Sequence, residues 1–476
     1  MPVLAAAVLL GGLLRFVTLD QQSFWLDEAY TVRFLSGSLG DTLGILPEWE
    51  SAPPVYYVLA WGWGQVLGFG ETGLRSLSAL AGTLTIPVAY AIGARLVSPS
   101  TGVVAAGLTA VHPLLVWFSQ EARAYSLVVL FASLSLLCFL HVLDGGGRRA
   151  WAWWAVCSAL AIATHYFAGF LVLAEAAVLA WRLPRDRRMA AAFGAVGLTV
   201  LALAPLALAQ RSSGRAAFIG EGDLGSRLLQ VPKQLLTGYA SPQQTLTTVL
   251  AALLVVVALA RLARGRDTRA LLPVWLAAGT IGVPLLLIVT GQDYLNTRNV
   301  LVALPALLVG VAAGLVSLGG RLAGASSAAL GIVLLAVTLL VVSEERFQRD
   351  DWRQAAAALG PPSGTRAVVV SPGSGWIALE LYRDGLRPLP ATPTAVSEVD
   401  VVAIARRSET GGREPAPEPP DTPVLPANLR PISVQRDATA TVVRYATIPV
   451  PFDVDPPTLA PAALWKGDGA VMLLPR

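Results

Sequence analysis

Charged side chains are scarce in this sequence: they make up 14% of its 476 residues, while hydrophobic residues make up 54%. Soluble globular proteins carry about 25% charged residues, so the composition excludes an ordinary soluble protein. The scarcity is uneven, because residues 1–342 hold 36 charged side chains and residues 343–476 hold the other 30. We therefore predict a polytopic α-helical membrane domain over 1–342 and a soluble α/β domain over 343–476.

Cysteine and clustered positive charge are scarce as well. Cys138 and Cys157 are the only cysteines and both lie in apolar runs, which excludes a disulfide framework and a cysteine-based zinc site. The net charge of +4 is spread over short loops, so we expect no nucleic-acid partner. The motifs GxxxxGK(S/T), HExxH and GxSxG do not occur, and GxGxxG occurs twice, as GFGETG at 68–73 and GEGDLG at 220–225, in neither case after a predicted strand. Nothing therefore favours a bound nucleotide, a zinc protease or a serine hydrolase.

What the sequence does contain is a series of apolar runs near the length of about 20 residues that a membrane-spanning helix needs. Nine single runs are clear: 2–19, 74–95, 101–118, 124–143, 189–209, 243–263, 270–290, 298–318 and 323–342. Residues 151–183 are too long for one span, and residues 53–68 are short and interrupted by glycine.

Basic loops decide how these runs are arranged. Short loops rich in arginine occur at Arg95, Arg148–Arg149, Arg182–Arg188, Arg261–Arg269 and Arg321. Because short loops rich in Lys and Arg stay on the cytoplasmic side, an even number of spans must separate each neighbouring pair. This makes 151–183 a helix pair turning near His165, and it makes 20–73 one outer loop in which 53–68 lies at the interface or re-enters. The prediction is about eleven transmembrane helices, a cytoplasmic N-terminus and an extracytoplasmic C-terminal domain.

Two adjacent carboxylates, Asp27 and Glu28, follow the first span between aromatic and apolar residues in the run FWLDEAY. A partly desolvated carboxylate can be tuned as a general base, so this pair is the candidate catalytic site. The alternative is a pair of acids at a helix N-terminus, stabilised there by the helix dipole.

A second group of polar residues lies at the predicted outer ends of the spans. Glu121 and Arg123, in SQEARAY, can bind an anionic phosphate directly or through a metal ion, or they can cap the next helix. The other candidates for phosphate binding are Arg75, His165 and Arg298, and each can instead be an interfacial anchor.

Two further polar residues lie within apolar runs. Arg15 is one turn from the outer end of the first span, where its side chain is expected to extend toward the headgroups. Glu175 is an intramembrane acid for which the sequence identifies no partner.

Three segments carry a resemblance to a known class of enzymes: FWLDEAYTVRF at 24–34, SAPPVYYVLAWGWGQVLGFGETGLRSLSALAGTLTIPVAYAIGARL from residue 51, and HPLLVWFSQEARAYSL at 112–127. They resemble the GT-C class of membrane glycosyltransferases, within it the protein O-mannosyltransferase and aminoarabinose transferase group of glycosyltransferase family 39. The similarity covers about 12–180, and YLNTRNVLVALPALLV and DDWRQAAAAL resemble bacterial members.

The resemblance implies an enzyme that uses a polyprenyl- or dolichyl-phosphate-linked sugar on the extracytoplasmic face. It places the catalytic acid at Asp27, the neighbouring acid at Glu28 and the acid of the second outer loop at Glu121. Many relatives carry His or Lys before the Pro-Pro pair, where this sequence has Ala52; phosphate binding then rests on Arg123, Arg298 or Arg75, with Trp49 and Glu50 close enough in sequence to contribute. A divalent cation, Mg²⁺ or Mn²⁺, bound by Asp27 and Glu121 is left open.

The predicted reaction is transfer of a sugar to an acceptor hydroxyl, with Asp27 as base and with inversion, because a single displacement inverts the anomeric carbon. Lysine occurs only twice, at Lys233 and Lys466, and alanine is abundant; this indicates a GC-rich bacterial genome, a plasma-membrane location and a polyprenyl carrier. The acceptor, which is a protein, a lipid or a wall glycan, and the sugar stay open. The alternatives are a lipid-linked-sugar flippase or transporter and a non-catalytic cell-envelope scaffold.

The tail reads as a small α/β unit. Helices are predicted at 351–358 and 376–384, strands at 366–371 and 399–406, a proline-rich loop at 416–426 and a β-hairpin within 432–445. On the predicted topology this domain lies outside, as an acceptor- or lipid-selecting element or as a structural cap.

Overall fold

A computed structural model describes residues 2–214, 222–361, 364–406, 414, 417–418, 429–447, 451–465 and 468–475. The chain forms two compact units: the first comprises Met1–Leu19 and Phe34–Leu340, and the second comprises Asp20–Arg33 and Val341–Arg476. The second boundary is close to residue 342, where the charge density changes. The short segment 20–33, however, packs with the C-terminal residues rather than with the apolar helices that follow it.

The first unit is helical. In chain order its helices are α1 (Pro2–Phe16), α2 (Leu26–Leu35, which begins in the second unit), α3 (Leu39–Trp49), α4 (Val55–Leu67), α5 (Glu71–Leu96), α6 (Pro99–Val111), α7 (Pro113–Ser119), α8 (Tyr125–Leu143), α9 (Arg148–Thr164), α10 (Gly169–Arg182), α11 (Arg187–Ser212), α12 (Leu224–Thr237), α13 (Gln244–Gly265), α14 (Thr268–Val289), α15 (Thr297–Val300), α16 (Leu304–Val316) and α17 (Gly320–Ser343).

Within the described residues, seven helices are long and apolar enough to cross a membrane, or eight if α6 and α7 count as one bent span. The chain is thus a multi-pass membrane protein, as predicted. One of the seven is Thr297–Val316, which comprises α15, a 3₁₀ turn and α16. Helices α1, α9 and α10 have 15, 17 and 14 residues and are shorter than these candidate spans. The count of eleven spans therefore stays a prediction.

The two ambiguous apolar stretches have definite structures. Residues 151–183 lie in the helix pair α9 and α10, which a 3₁₀ turn at Tyr166–Ala168 joins next to His165. The region 20–73, which is predicted to lie on the outer side, contains the helices α2, α3 and α4, and its side of the membrane stays a prediction. Helix α4 has 13 residues, too few to cross a bilayer as a helix.

The run predicted as one span over 101–118 is broken in the middle. Helices α6 and α7 meet at an angle of 57°, with His112 extended at φ −65° and ψ 122°. Pro113 explains the break, since proline has no N–H to donate and disfavours the helical conformation in the residue before it.

The core of the first unit is built on α5, α6, α8 and α16. Helix α16 is almost entirely buried, and two glycines allow α5 and α6 to pack backbone against backbone. A Cβ at Gly102 would lie 2.5 Å from the carbonyl oxygen of Tyr90, and one at Gly93 would lie 3.0 Å from the Gly102 backbone. Such close approach of small residues is typical of helix packing in membranes.

The second unit is built around a mixed sheet. Its strands are β1 (Arg366–Ser371), β2 (Arg387–Pro388), β3 (Thr394–Val396), β4 (Glu398–Ile404), β5 (Leu429–Arg436), β6 (Ala440–Thr447), β7 (Phe452–Val454) and β8 (Ala470–Leu474). Six form the sheet in the order β2-β8-β1-β4-β6-β5, and β3 pairs with β7. Among the described strands, only β1 and β4 pair in parallel, and between them the chain passes through α19 (Trp376–Glu380). Helices α18 (Trp352–Ala358) and α20 (Pro456–Leu459) complete the unit.

Most elements predicted for the tail are present. Strand β1 has the predicted bounds, and α18, α19, β4 and the β5–β6 hairpin lie where the patterns indicated. No sequence pattern predicts β2, β3, β7 or β8, although β8 lies beside β1 near the centre of the sheet. Apart from 417–418, the predicted proline-rich loop at 416–426 lies outside the described residues.

Candidate active site

The predicted catalytic acids lie at the start of α2, in the part of the helix that belongs to the second unit. Glu28 is fully buried, and its Oε2 accepts a hydrogen bond from the Trp25 N–H at 3.3 Å. Glu28 therefore caps the helix N-terminus, which is the structural alternative considered for this pair. Asp27 is half-buried and is the one of the two acids with access to solvent.

In the first unit, Arg123 forms a buried ion pair that the sequence did not reveal. Its Nη1 lies 2.7 Å from Glu50 Oε2, and its Nη2 lies 3.2 Å from Glu50 Oε1. Tyr57 completes the group, because its hydroxyl accepts from Arg123 Nη1 at 2.9 Å and donates to Glu50 Oε2. The Glu50 side chain is only 6% exposed, so both charges are largely removed from water.

Glu50 is ionised in this environment. Burial alone would raise the pKa of its carboxyl, but the charge of Arg123 and hydrogen bonds from Arg123, Tyr57 and the Ser51 N–H outweigh burial and lower that pKa. Burial and the nearby Glu50 charge raise the pKa of Tyr57 well above its ordinary value. Tyr57 therefore remains a neutral hydrogen-bond donor.

His165 and Arg298 belong to the same electrostatic group. The pKa of His165 falls to about 4 because the imidazole is buried; the charges of Arg123 and Arg298 lower it further, and Glu50 opposes them. The structure thus brings together three predicted phosphate-binding residues, Arg123, His165 and Arg298, with Glu50 as a fourth member. His165 is neutral at pH 7, and it can hydrogen-bond to an anion but adds no charge.

Hydrogen bonds and aromatic contacts fix the chain around this group. Gln210 donates to the carbonyl oxygens of Leu46 at 3.2 Å and Ala52 at 3.0 Å and accepts from the Tyr166 hydroxyl at 2.9 Å. The His165 ring lies 5.7 Å from the Tyr125 ring. The position that carries His or Lys in many relatives, Ala52, is therefore held next to the turn that carries His165.

The segment before α15 is also held by an ion pair. Arg227 Nη2 lies 2.6 Å from Asp293 Oδ2, and Arg227 Nη1 donates to the Leu295 carbonyl oxygen at 3.1 Å. The hydrogen bond from Arg227 lowers the pKa of Asp293. This pair supports the chain immediately before Arg298.

Two other predicted phosphate-site residues have different surroundings. Arg75 is 1% exposed, and its Nη1 donates to the Leu19 carbonyl oxygen at 2.7 Å, just beyond the end of α1. Glu121 is also 1% exposed, and it lies in the turn between α7 and α8. A role for Arg75 and Glu121 in phosphate binding remains a prediction. The observed role of Arg75 is to donate a hydrogen bond to the backbone just beyond the end of α1.

Arg15 does not extend toward the headgroups as predicted. Its side chain is fully buried and donates to the carbonyl oxygens of Thr109 at 3.1 Å and Ala110 at 2.8 Å and to Ser119 Oγ at 3.1 Å. These carbonyls belong to the last turn of α6, where the break at Pro113 ends the helix. The expectation was wrong because an arginine can also satisfy carbonyls that a helix break exposes.

Glu175 has the buried partners that the sequence could not identify. Its Oε2 accepts from Ser135 Oγ at 2.6 Å and from Trp154 Nε1 at 2.8 Å. The Ser158 hydroxyl lies 2.8 Å from Ser135. The acid thus links α8, α9 and α10.

Among the residues that the structure describes, no group of three or more His, Cys, Asp and Glu side chains is arranged to hold a metal ion. Asp27 and Glu121 fall in different units. The divalent cation at these two acids accordingly stays a prediction.

Comparison with known proteins bears on the class of this chain. Residues 51–209 match the family described as dolichyl-phosphate-mannose-protein mannosyltransferase. These residues include Arg75, Glu121, Arg123 and His165. No curated protein sequence matches the chain.

Three solved structures share the fold. ArnT from Cupriavidus metallidurans in the apo state aligns with a TM-score of 0.56 at 12% identity, over 93% of this chain and 97% of ArnT. The same protein bound to undecaprenyl phosphate aligns with a TM-score of 0.53 at 13% identity, over 93% and 97% of the two chains. The apo oligosaccharyltransferase of Archaeoglobus fulgidus aligns with a TM-score of 0.50 at 13% identity, over 80% of this chain and 63% of that one.

The family match covers SAPPVYY and SQEARAY, two of the three segments that carry the resemblance. Together with the shared fold, it confirms the predicted resemblance to the GT-C class of membrane glycosyltransferases.

Proposed function

We propose that this protein transfers a sugar from a polyprenyl-phosphate donor to an acceptor hydroxyl on the extracytoplasmic face of a bacterial plasma membrane. The observation that carries the proposal is the group formed by Glu50, Arg123, His165 and Arg298. Its fold relative ArnT has been solved bound to undecaprenyl phosphate. This group, buried at Glu50 and half-buried at the other three residues, fits the phosphate of such a lipid.

The charge of the group suits a phosphate leaving group. The charges of two guanidinium groups, Arg123 and Arg298, act on the neutral His165, and guanidinium groups bind phosphate oxygens through charge-assisted hydrogen bonds. The donor phosphodiester has one negative charge, and the phosphate that leaves gains a second. Fixed positive charge where negative charge develops is the largest contribution that many enzymes make to catalysis.

In the proposed reaction, Asp27 accepts the proton of the acceptor hydroxyl while that oxygen attacks the anomeric carbon. The bond between this carbon and the phosphate oxygen breaks, and polyprenyl phosphate leaves with the bonding electron pair. A single displacement of this kind inverts the anomeric configuration. Asp27 suits the role of base because Glu28, its buried neighbour, already serves as a helix cap.

The test measures transfer of radiolabel from polyprenyl-phosphate-mannose and polyprenyl-phosphate-arabinose in membranes that contain wild type, Asp27→Asn or Asp20→Asn. Asp20 is an exposed acid seven residues before Asp27, so Asp20→Asn makes the same chemical change outside the proposed site. We expect Asp27→Asn to lower the rate of transfer by about 10³-fold, as is typical when a general base is removed. Asp20→Asn should transfer the sugar at the wild-type rate.

Equal transfer by wild type and Asp27→Asn would contradict the base assignment and keep the enzyme class. If wild type transferred neither sugar and the purified protein did not bind polyprenyl phosphate, the proposed function would be wrong. The product's anomeric configuration, read by NMR, tests inversion separately.

A further inference from the structure

We propose that the C-terminal domain, residues 341–476, is the element that positions Asp27 for catalysis. This inference rests on the proposed function only in taking Asp27 as the base. The residues that act are Tyr382, Ser23, Trp352 and the pair of Arg33 with Glu380. They are positioning residues, since each acts on the backbone or helix that carries Asp27.

The segment that leads into α2 is hydrogen-bonded to the chain just before α18. Ser23 is fully buried; its hydroxyl donates to the Asp350 carbonyl oxygen at 3.0 Å and accepts from the Trp352 N–H at 2.9 Å. One residue earlier, Gln22 Oε1 accepts from the Arg349 N–H at 3.0 Å. These bonds join positions that are 327 and 329 residues apart in sequence.

A tyrosine fixes the backbone three residues before Asp27. The Phe24 N–H donates to the Tyr382 hydroxyl at 2.7 Å, and the Arg353 guanidinium lies 5.6 Å from the centre of the Tyr382 ring. Phe24 is itself buried, with 4% of its surface exposed. A buried backbone N–H is costly to leave unsatisfied, so Tyr382 fixes where the turn into α2 lies.

The first turns of α2 are part of the C-terminal domain's own hydrophobic core. Ala29, two residues after Asp27, is fully buried in one cluster with Trp352, Leu359 and Ile377. Tyr30 packs against the same cluster. One face of the helix is thus fixed by close packing, and Asp27 in the first turn has its direction set by that face.

An ion pair holds the C-terminal end of the segment 20–33. Arg33 Nη1 lies 3.3 Å from Glu380 Oε2, and the Arg33 guanidinium lies 5.1 Å from the Trp376 ring. Both charged side chains are about half exposed, at 48% and 41%, so the pair adds little stability. Its charges can nevertheless be exchanged without disturbing the core, which makes it useful as a test.

The geometry therefore gives the domain a catalytic consequence. A displacement of about 1 Å in a catalytic group can lower a rate about 10²-fold, while binding of a donor by other residues is unaffected. Loosening the contacts of Tyr382 or Ser23 should lower kcat and leave KM for the donor unchanged.

The test compares Tyr382→Phe and Ser23→Ala with Tyr445→Phe in the full-length protein. Tyr445 lies on β6 in a different cluster of the same domain, so Tyr445→Phe is the matched control. The measurements are kcat, KM for the donor, and amide hydrogen exchange of the peptide 24–31. We expect Tyr382→Phe and Ser23→Ala each to lower kcat by about tenfold and to speed amide exchange in 24–31, with KM for the donor within about twofold of wild type. Tyr445→Phe should keep the wild-type kcat, KM and exchange rate.

Charge exchange separates positioning from a general loss of folding. Arg33→Glu and Glu380→Arg each place like charges side by side and should lower kcat by about threefold, a small effect because an exposed ion pair contributes little. The double exchange should restore kcat. The proposal is wrong if Tyr382→Phe and Ser23→Ala keep both the wild-type kcat and the wild-type exchange rate. If exchange speeds up but Asp27→Asn is fully active, the contacts stand and the assigned base fails.

Discussion

At the scale of single residues, the sequence identifies charges but not their partners. Arg123, His165 and Arg298 are predicted to share one membrane face because the basic loops fix the parity of the spans, and the structure does bring them together. Glu50 was considered only for its closeness to Ala52, because nothing in a sequence links two residues 73 positions apart. Its contact with Arg123 depends on the packing of the whole first unit.

The same contacts change the chemistry expected of His165. At an unperturbed pKa an imidazole near phosphate would carry charge in part of its population. Here burial and the charges of Arg123 and Arg298 bring the pKa to about 4. The pKa is lower in the folded than in the unfolded chain, so protons favour the unfolded chain. Stability is therefore lost as pH falls from 6.5 toward about 4.

We predict that His165→Gln removes this part of the pH dependence. Tryptophan fluorescence during thermal unfolding in detergent should show Tm falling between pH 6.5 and 5 by clearly less in His165→Gln than in wild type. His141→Gln, at the end of α8, is the control and should follow wild type. Parallel Tm profiles for His165→Gln and wild type would show that the imidazole is already protonated in the folded protein.

At the scale of elements, hydropathy locates apolar helices but not their breaks. The run 101–118 reads as one span, yet Pro113 was a visible signal that it could not be one straight helix. No sequence pattern, however, shows which donors pair with the carbonyl oxygens that lose their helical partners at the break. In an unbroken helix the Thr109 oxygen would accept from residue 113, which is proline, and the Ala110 oxygen would accept from Leu114. The Leu114 N–H instead donates to His112 Nδ1, and Arg15 takes both oxygens.

This arrangement predicts that Arg15 and Pro113 are energetically coupled. Arg15→Met should lower Tm strongly, because two buried carbonyls lose their donor and each costs about 1–3 kcal/mol. In a Pro113→Ala background the restored N–H can pair with Thr109, so the same Arg15→Met change should cost less.

The measurement is a double-mutant cycle of thermal unfolding in detergent with wild type, the two single variants and the double variant. The control is Ser133→Ala in α8, which removes a hydrogen bond within one helix. Its effect on Tm should add to that of Arg15→Met without coupling. Strict additivity of Arg15→Met and Pro113→Ala would mean that Arg15 does not compensate for the helix break.

At the scale of the whole molecule, the charge density changes near residue 342, close to the boundary between the two compact units at Leu340 and Val341. It cannot detect that 20–33 folds with the C-terminal residues. Composition describes neighbours in sequence, and this association joins positions more than 300 residues apart. Strand β8 escapes prediction for a related reason: AVMLL is too short to show a period, and its partner β1 lies about 100 residues earlier.

The membrane topology is the prediction that belongs to this scale. If the basic loops lie inside and eleven helices cross, the loop before α9 and the loop before α11 are both cytoplasmic, and the turn between β5 and β6 is outside. Three exposed residues report on these places: Arg149 in the first turn of α9, Arg185 in the loop before α11, and Ala438 in the turn between β5 and β6. Each can be replaced by cysteine in a background where Cys138 and Cys157, which lie within α8 and α9, are alanine.

In intact cells a membrane-impermeant maleimide should label Ala438→Cys at once and should label Arg149→Cys and Arg185→Cys only after permeabilisation. The comparison of Arg149→Cys with Arg185→Cys is the sharper part of the test, because α9 and α10, with 17 and 14 residues, are short for spans. If both positions are labelled from the same side, then either both helices cross the membrane or neither does. Labelling of Arg149→Cys and Arg185→Cys on opposite sides would break the parity on which the whole topology depends. Labelling of Ala438→Cys only after permeabilisation would place the C-terminal domain, and Asp27 with it, on the cytoplasmic face, where the proposed reaction could not occur as described.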